Sequence, residues 1–172
     1  MRDNVDPQPL NPQPLNPQPL NPQPTEAWAC DTSVAIAALD PNHRSHAPCR
    51  RWLIDQRPAL SGHAAFETYS VLTRLPPPLR LTAGQAASTL AKAFPVTCWP
   101  QSDQLDALRT RFGDLGIIGG SVYDALVGQA ALDNGRVLLT ADRRAERTYR
   151  LLGVRYQPVE PEPATGHAGG SG

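Results

Sequence analysis

The chain has 172 residues, 40% of them hydrophobic and 19% charged, with sixteen bases balancing sixteen acids. That length holds one ordinary domain with a core of its own and is short for two. No apolar run approaches the roughly 18 residues of a membrane-spanning helix, and the start MRDNVDPQPL lacks the apolar stretch of a secretory signal, so the expectation is a cytoplasmic protein with no membrane role.

Residues 1–25 repeat DPQPL, NPQPL, NPQPL and NPQP, with eight prolines between Pro7 and Pro24. Proline removes backbone donors, and only Leu10, Leu15 and Leu20 offer apolar surface, so this stretch reads as a disordered tail of polyproline II character. Residues 26–159 read as the folded domain, and 160–172, containing TGHAGGSG, as a flexible tail. With the ends set aside, residues 27–159 carry fifteen bases against eleven acids, a modest excess compatible with a polyanionic partner. Cys30, Cys49 and Cys98 show no C-x-x-C spacing and are expected to be buried free thiols.

Within the domain, short apolar runs alternate with longer helical patterns, the sign of βαβ units and a parallel sheet. Strands are expected at AWAC (27–30), PAL (58–60), PVTCW (95–99), RVLLT (136–140) and VRYQPV (154–159). Helices are expected at SVAIAAL, HAPCRRWLIDQ, HAAFETYSVLTRL up to Pro76, TAGQAASTLAKAF, SDQLDALRTRFG, SVYDALVGQAALDNG and RRAERTYRLLG, with Gly135 and Gly153 at C-cap positions. The fold class is α/β, with a short, mostly parallel sheet of about five strands.

The positions of four acids carry the chemistry. Asp31 follows the first strand and Asp142 lies just beyond the fourth, and ligands of open parallel sheets bind at the carboxyl ends of strands. Asp124 sits in the first turn of the helix before RVLLT, after the pliable GIIGG, and Glu67 lies within the helix that also carries Phe66, Tyr69 and Leu72. Each also has a local account: Asp31 and Asp142 as N-caps, Ser121 with Asp124 as a capping box, and Glu67 as a boundary residue paired with Arg74. Together, four carboxylates at one sheet end repel one another by about 4 kcal/mol per close pair at an effective dielectric near 20. A divalent cation resolves that repulsion, and hard oxygen donors suit Mg²⁺, with Mn²⁺ as a substitute, rather than zinc. Thr32, Ser33 and Thr140 lie beside the acids, either to orient bound water or as local caps.

The series DTSVAIAAL, FETYSVLTRLP, GGSVYDALVGQAA and LLTADRRAERTY followed by LGV resembles the PIN-domain ribonucleases, and most closely their VapC-like toxins, over about residues 28–158. The resemblance implies a three-layer α/β/α sandwich. It carries Asp31, Glu67, Asp124 and Asp142 over as catalytic and metal-binding acids, with Ser33 and Thr140 as supporting hydroxyls. It further implies Mg²⁺- or Mn²⁺-dependent endoribonuclease action on RNA, usually transfer or ribosomal RNA, and inhibition by a cognate antitoxin protein. Homodimers are common in the family. Alternatives are a PIN-like RNA-processing nuclease outside any toxin–antitoxin pair and an inactive binding module.

Beside the site, Arg143, Arg147 and Arg150 fall at i, i+4 and i+7 after Asp142, either an RNA-binding helix face or a solvated one partly neutralised by Glu146. Trp52, Leu53 and Ile54 on HAPCRRWLIDQ read either as core or as an antitoxin contact, and His43-x-x-His46 reads as surface rather than as a metal pair. A phosphoacceptor domain would need an acid at the end of PVTCW, and a haloacid-dehalogenase-like phosphatase a second Asp at position 33, and neither is present.

Overall fold

The computed structural model describes residues 26–162. The tail expected over 1–25, and the part of the C-terminal tail from 163 on, lie outside the described residues. Glu160 and Glu162, read with that tail, are instead seen in ion pairs with Arg143 and Arg51, and Glu26 pairs with Arg155, each at 2.8 Å. Residues 26–162 therefore hold fifteen bases and fourteen acids, so the basic excess read from the sequence shrinks to +1.

Five strands form one parallel sheet: β1 (Trp28–Cys30), β2 (Ala59–Ser61), β3 (Thr97–Cys98), β4 (Val137–Thr140) and β5 (Tyr156–Pro158), in the order β3-β2-β1-β4-β5. In the centre, Ala29 lies opposite Ala59 on one side and Leu138 on the other. β2 and β4 are buried along their whole length, as expected of strands covered on both faces, which read as apolar runs without alternation. β3 and β5 are shorter than the sequence implied, and prolines lie at both, while β2 keeps three residues one position later than expected. Pro95 and Pro100 bracket β3, and Pro158 is tolerated in β5 because that strand lies at an edge.

Among the described residues seven α-helices connect them: α1 (Thr32–Leu39), α2 (His46–Gln56), α3 (Ala64–Arg74), α4 (Ala83–Ala93), α5 (Leu105–Asp114), α6 (Ser121–Asp133) and α7 (Ala145–Leu152). The chain advances from β1 to β2 to β3 in one direction, then returns to β4 and β5 on the far side of β1. With right-handed crossovers, that reversal puts the two groups of helices on opposite faces. Accordingly α1 packs on α2 and α3, and α3 on α4, while α6 packs on α7 and against β2 and β4, giving an α/β/α sandwich. The reversal makes the junction of β1 and β4 a topological switch point, where the carboxyl ends of two strands diverge into opposite layers.

Two local devices set this geometry. The chain leaves β2 through Gly62 at φ +50°, where a Cβ would stand 3.0 Å from the Ala130 Cβ, so only glycine lets α3 start against α6. The helix expected from Arg143 starts only at Ala145, because the Asp142 carboxylate accepts a hydrogen bond from the Arg144 N–H at 2.9 Å and holds a turn there. In the same way a 3₁₀ turn (Ser102–Gln104) precedes α5.

Candidate active site

Asp31 emerges from the end of β1 with 4% of its surface exposed. Its Oδ1 accepts the Val34 N–H at 3.0 Å, the cap expected for α1, and the Ser33 hydroxyl at 2.6 Å. Its Oδ2 accepts the Tyr149 hydroxyl at 3.2 Å. Burial pushes the Asp31 carboxyl up, opposed by hydrogen bonds from Ser33, Thr140, Val34 and Tyr149. The cap is real and does not exhaust the residue, since a buried carboxylate braced by a buried tyrosine is more than an N-cap needs.

Asp142 stands beyond the end of β4. Its N–H donates to the Thr140 hydroxyl at 3.1 Å, and the Ser33 hydroxyl, besides donating to Asp31, accepts the Ala141 N–H at 2.8 Å. Ser33 thus ties the Asp31 carboxylate to the backbone that carries Asp142. Both hydroxyls named from the sequence brace the acids.

Asp124 lies in the first turn of α6, and the capping box expected there does not form. Gly120 is the N-cap without a side-chain bond, and the Ser121 hydroxyl donates to the Ile118 carbonyl at 2.6 Å. Among the described residues no hydrogen bond or ion pair reaches the Asp124 carboxylate, although it is half-buried. Burial, and then the charges of Asp142, Asp31 and Glu67, push it up to about 6, against a smaller opposing pull from Arg144.

Glu67 differs from expectation. It is exposed, its Oε2 accepts the Thr32 hydroxyl at 2.6 Å, and Arg74 donates to the Ser70 carbonyl instead of pairing with it. It reaches the site as the wall of a cleft rather than as a buried charge, because the first turn of α3 borders the start of α1. All four acids line one cavity of about 170 Å³, together with Thr32, Ser33 and Tyr149. Among the described residues no three acid, His or Cys side chains already close on one point as a ligand set. The carboxylates form an acidic wall with room for water rather than a finished cage.

The arginines are arranged differently from the expected helix face. Arg143 and Arg144 precede α7, Arg143 is held by Glu160 at 2.8 Å, and Arg150 is engaged by Glu146 at 3.2 Å and the Tyr156 hydroxyl at 2.7 Å. Arg147 opens on a cavity shared with Asp124 and Arg144. A larger cleft of about 570 Å³ adjoins the acidic cavity, shares Ser33 and Asp142 with it, and brings Arg44, Arg143 and Arg144 alongside. Sequence reasoning missed Tyr149, Arg144 and Arg44. Tyr149 was legible as an aromatic seven residues after Asp142 on an otherwise charged helix, whereas Arg44 has no local signal.

The remaining readings resolve simply. The three cysteines are buried and free, and burial raises the Cys49 thiol to about 12. His43 accepts the Ser45 N–H, and His46 pairs with the Ala37 carbonyl, so neither is poised for a metal. Trp52 packs on Trp28 at 4.7 Å between ring centroids and Leu53 is buried, leaving Ile54 as the exposed apolar residue of that trio.

The family model of the PIN domain matches residues 29–151. Ribonuclease VapC27 of Mycobacterium tuberculosis (strain ATCC 25618 / H37Rv) is 44% identical over 126 residues, covering 73% of this chain and 92% of that protein. Ribonuclease VapC40 of Mycobacterium tuberculosis (strain CDC 1551 / Oshkosh) is 40% identical over 136 residues, covering 76% of this chain and 98% of that protein. The matched stretch runs from β1 through α7 and contains Asp31, Glu67, Asp124 and Asp142. With its sheet order, its acids at the switch point and relatives aligned along nearly their full length, the chain belongs to the PIN domain family, as a VapC-like member.

Proposed function

We propose that this chain is a metal-dependent endoribonuclease, the toxin of a toxin–antitoxin pair, which hydrolyses RNA phosphodiesters with an activated water, transfer or ribosomal RNA being the substrate class. The observation that carries the reading is the Asp124 carboxylate, half-buried, without a protein partner among the described residues, and facing three other acids across one cavity. Carboxylates that face one another across a cavity repel, and a divalent cation held among them offsets that charge. The donors fit Mg²⁺ or Mn²⁺: hard carboxylate oxygens, no histidine or thiolate among them, and a cavity that leaves space for water.

A divalent cation of this class supplies Lewis acidity toward a phosphate and its leaving oxygen, and makes a water more acidic. The chain supplies the rest. Asp31, Asp124 and Asp142 offer the holding oxygens, and Glu67, joined to Thr32, closes the wall. Tyr149 and Ser33 each donate to an oxygen of Asp31 and so fix the orientation of its carboxylate at the cavity. Arg44 and Arg144 stand where the flanking backbone phosphates of an RNA would run. No serine or cysteine nucleophile with a paired histidine lies in the cavity, so direct attack by water is the route its residues support.

The ribonuclease names of the relatives support RNA as the substrate, and the VapC resemblance supports an antitoxin partner. The test is cleavage of total cellular RNA by the purified chain with Mg²⁺ or Mn²⁺, with EDTA, and by Asp124→Asn prepared identically. Discrete fragments that vanish both with EDTA and with the substitution support the reading, and their ends identify the target. A folded chain that binds no divalent cation overturns it.

A further inference from the structure

The carboxyl ends of β3, β2, β1, β4 and β5 lie side by side at about 4.8 Å spacing, and the side chains beyond them sort by chemistry along that edge. The acids follow β1 and β4, and Arg143 and Arg144 stand toward β5. On the opposite flank stand four rings. Trp99 directly follows β3, His63 precedes α3 and Phe66 lies in its first turn, and Tyr123 lies in the first turn of α6. Phe66 and Trp99 are tilted at 5.6 Å between centroids, and His63 and Tyr123 stack at 4.7 Å with 20° between planes.

These rings are not core. Phe66 is 64% exposed, Tyr123 53% and Trp99 47%, so three large rings in two pairs are left in water. Phe66 immediately precedes Glu67 and Tyr123 immediately precedes Asp124, so each ring pair stands one residue in sequence from an acid that lines the cavity. It is also held in place: Asn134 donates to the Trp99 carbonyl at 2.8 Å and the Gly62 N–H to the Cys98 carbonyl at 2.7 Å.

We propose that Trp99, Phe66, His63 and Tyr123 form a stacking platform for the unpaired bases of a single-stranded RNA whose backbone crosses the carboxylates; the inference rests on the ribonuclease reading and names its substrate class. Rings present π-faces, which stack on bases, so they suit bases splayed out of a helix rather than a duplex that keeps its bases inside. The order along the edge, rings then acids then arginines, gives an extended strand a stacking side and a cationic side with the reacting centre between them. The same order favours RNA over a protein partner as the occupant.

The test measures binding of a short labelled oligouridylate to the full chain carrying Asp124→Asn in Mg²⁺, so that cleavage does not intervene. In that background Trp99→Leu and Phe66→Leu, which keep apolar bulk and remove the ring, are expected to weaken single-strand binding about fivefold or more. The slope of affinity against salt should stay unchanged, because no phosphate contact is lost. Trp99→Phe should retain binding, and Tyr123→Leu tests the second ring pair independently. A duplex of matching length should bind more weakly and ignore the ring variants. Leucine variants that bind as tightly as the parent overturn the platform, as does a duplex that competes equally. Loss of a dimer on sedimentation with RNA affinity untouched assigns the rings to a protein contact and overturns it too. Metal-dependent cleavage by the wild-type chain with ring-independent binding removes the platform and leaves the ribonuclease reading standing. Ring-dependent binding without cleavage by the wild type does the reverse.

Discussion

Asp124 is the residue on which the site turns, and its position makes it titrate. Its carboxyl stands at about 6 in the folded chain against 3.8 for an ordinary aspartate. Between those values the folded state binds more protons than the unfolded one, so stability falls as pH rises through that window. In EDTA the thermal midpoint is therefore expected to drop between pH 5 and pH 7, and Asp124→Asn should flatten that drop, while reducing cleavage by more than about 100-fold, beyond the usual cost of losing an outer partner. A wild-type midpoint that rises across the same interval as steeply as in the variant would remove the electrostatic account. Tyr149 acts on the same site from behind. Tyr149→Phe keeps the ring and deletes the donor to Asp31, leaving a buried oxygen without its partner. The expected costs are about 1–3 kcal/mol in urea denaturation of the metal-free chain and about tenfold in divalent-metal affinity by titration calorimetry. Unchanged values in both would make the Tyr149 contact incidental.

Among the elements, the turns out of β1, β2 and β4 matter more than the strands themselves. Each ends a buried strand and begins a helix, and each uses a different device: the Asp31 cap, the positive φ of Gly62, and the Thr140–Asp142 turn. Gly62→Ala demands both a left-handed backbone and a Cβ 3.0 Å from Ala130, so a loss on the order of 1–2 kcal/mol in chemical denaturation is expected. A change within a few tenths would mean that α6 yields without cost. The helix of arginines illustrates the opposite case. Its i, i+4, i+7 spacing is correct in the sequence, yet the Asp142 turn delays α7 to Ala145, and the residues expected on one face are drawn to Glu160, Glu146 and Tyr156. Local spacing assumed a helix that the cap postponed.

At the scale of the whole molecule, the core of the described residues runs from Ala29 on β1 to Val159 beyond β5. Deleting residues 1–24 is therefore expected to leave the thermal midpoint and RNA cleavage unchanged, and a loss of either on scanning calorimetry or in the cleavage assay would give that segment a role. The sequence by itself determined the parallel α/β plan, the order of the strands along the chain and the four acids. These rest on local facts: apolar runs of strand length, helical periodicity, Asp31 and Asp142 placed just after strands whose ends a parallel sheet gathers at one edge, and Glu67 and Asp124 placed early in helices. Only the tertiary structure decided the surroundings of those acids. That Glu67 is an exposed wall, that Asp124 lacks a partner while Asp31 gains Tyr149 from 118 residues away, and that four rings line one flank of the edge all depend on which layers meet at the switch point between β1 and β4. Burial and partner choice are properties of packing between segments distant in sequence, and no local pattern encodes them.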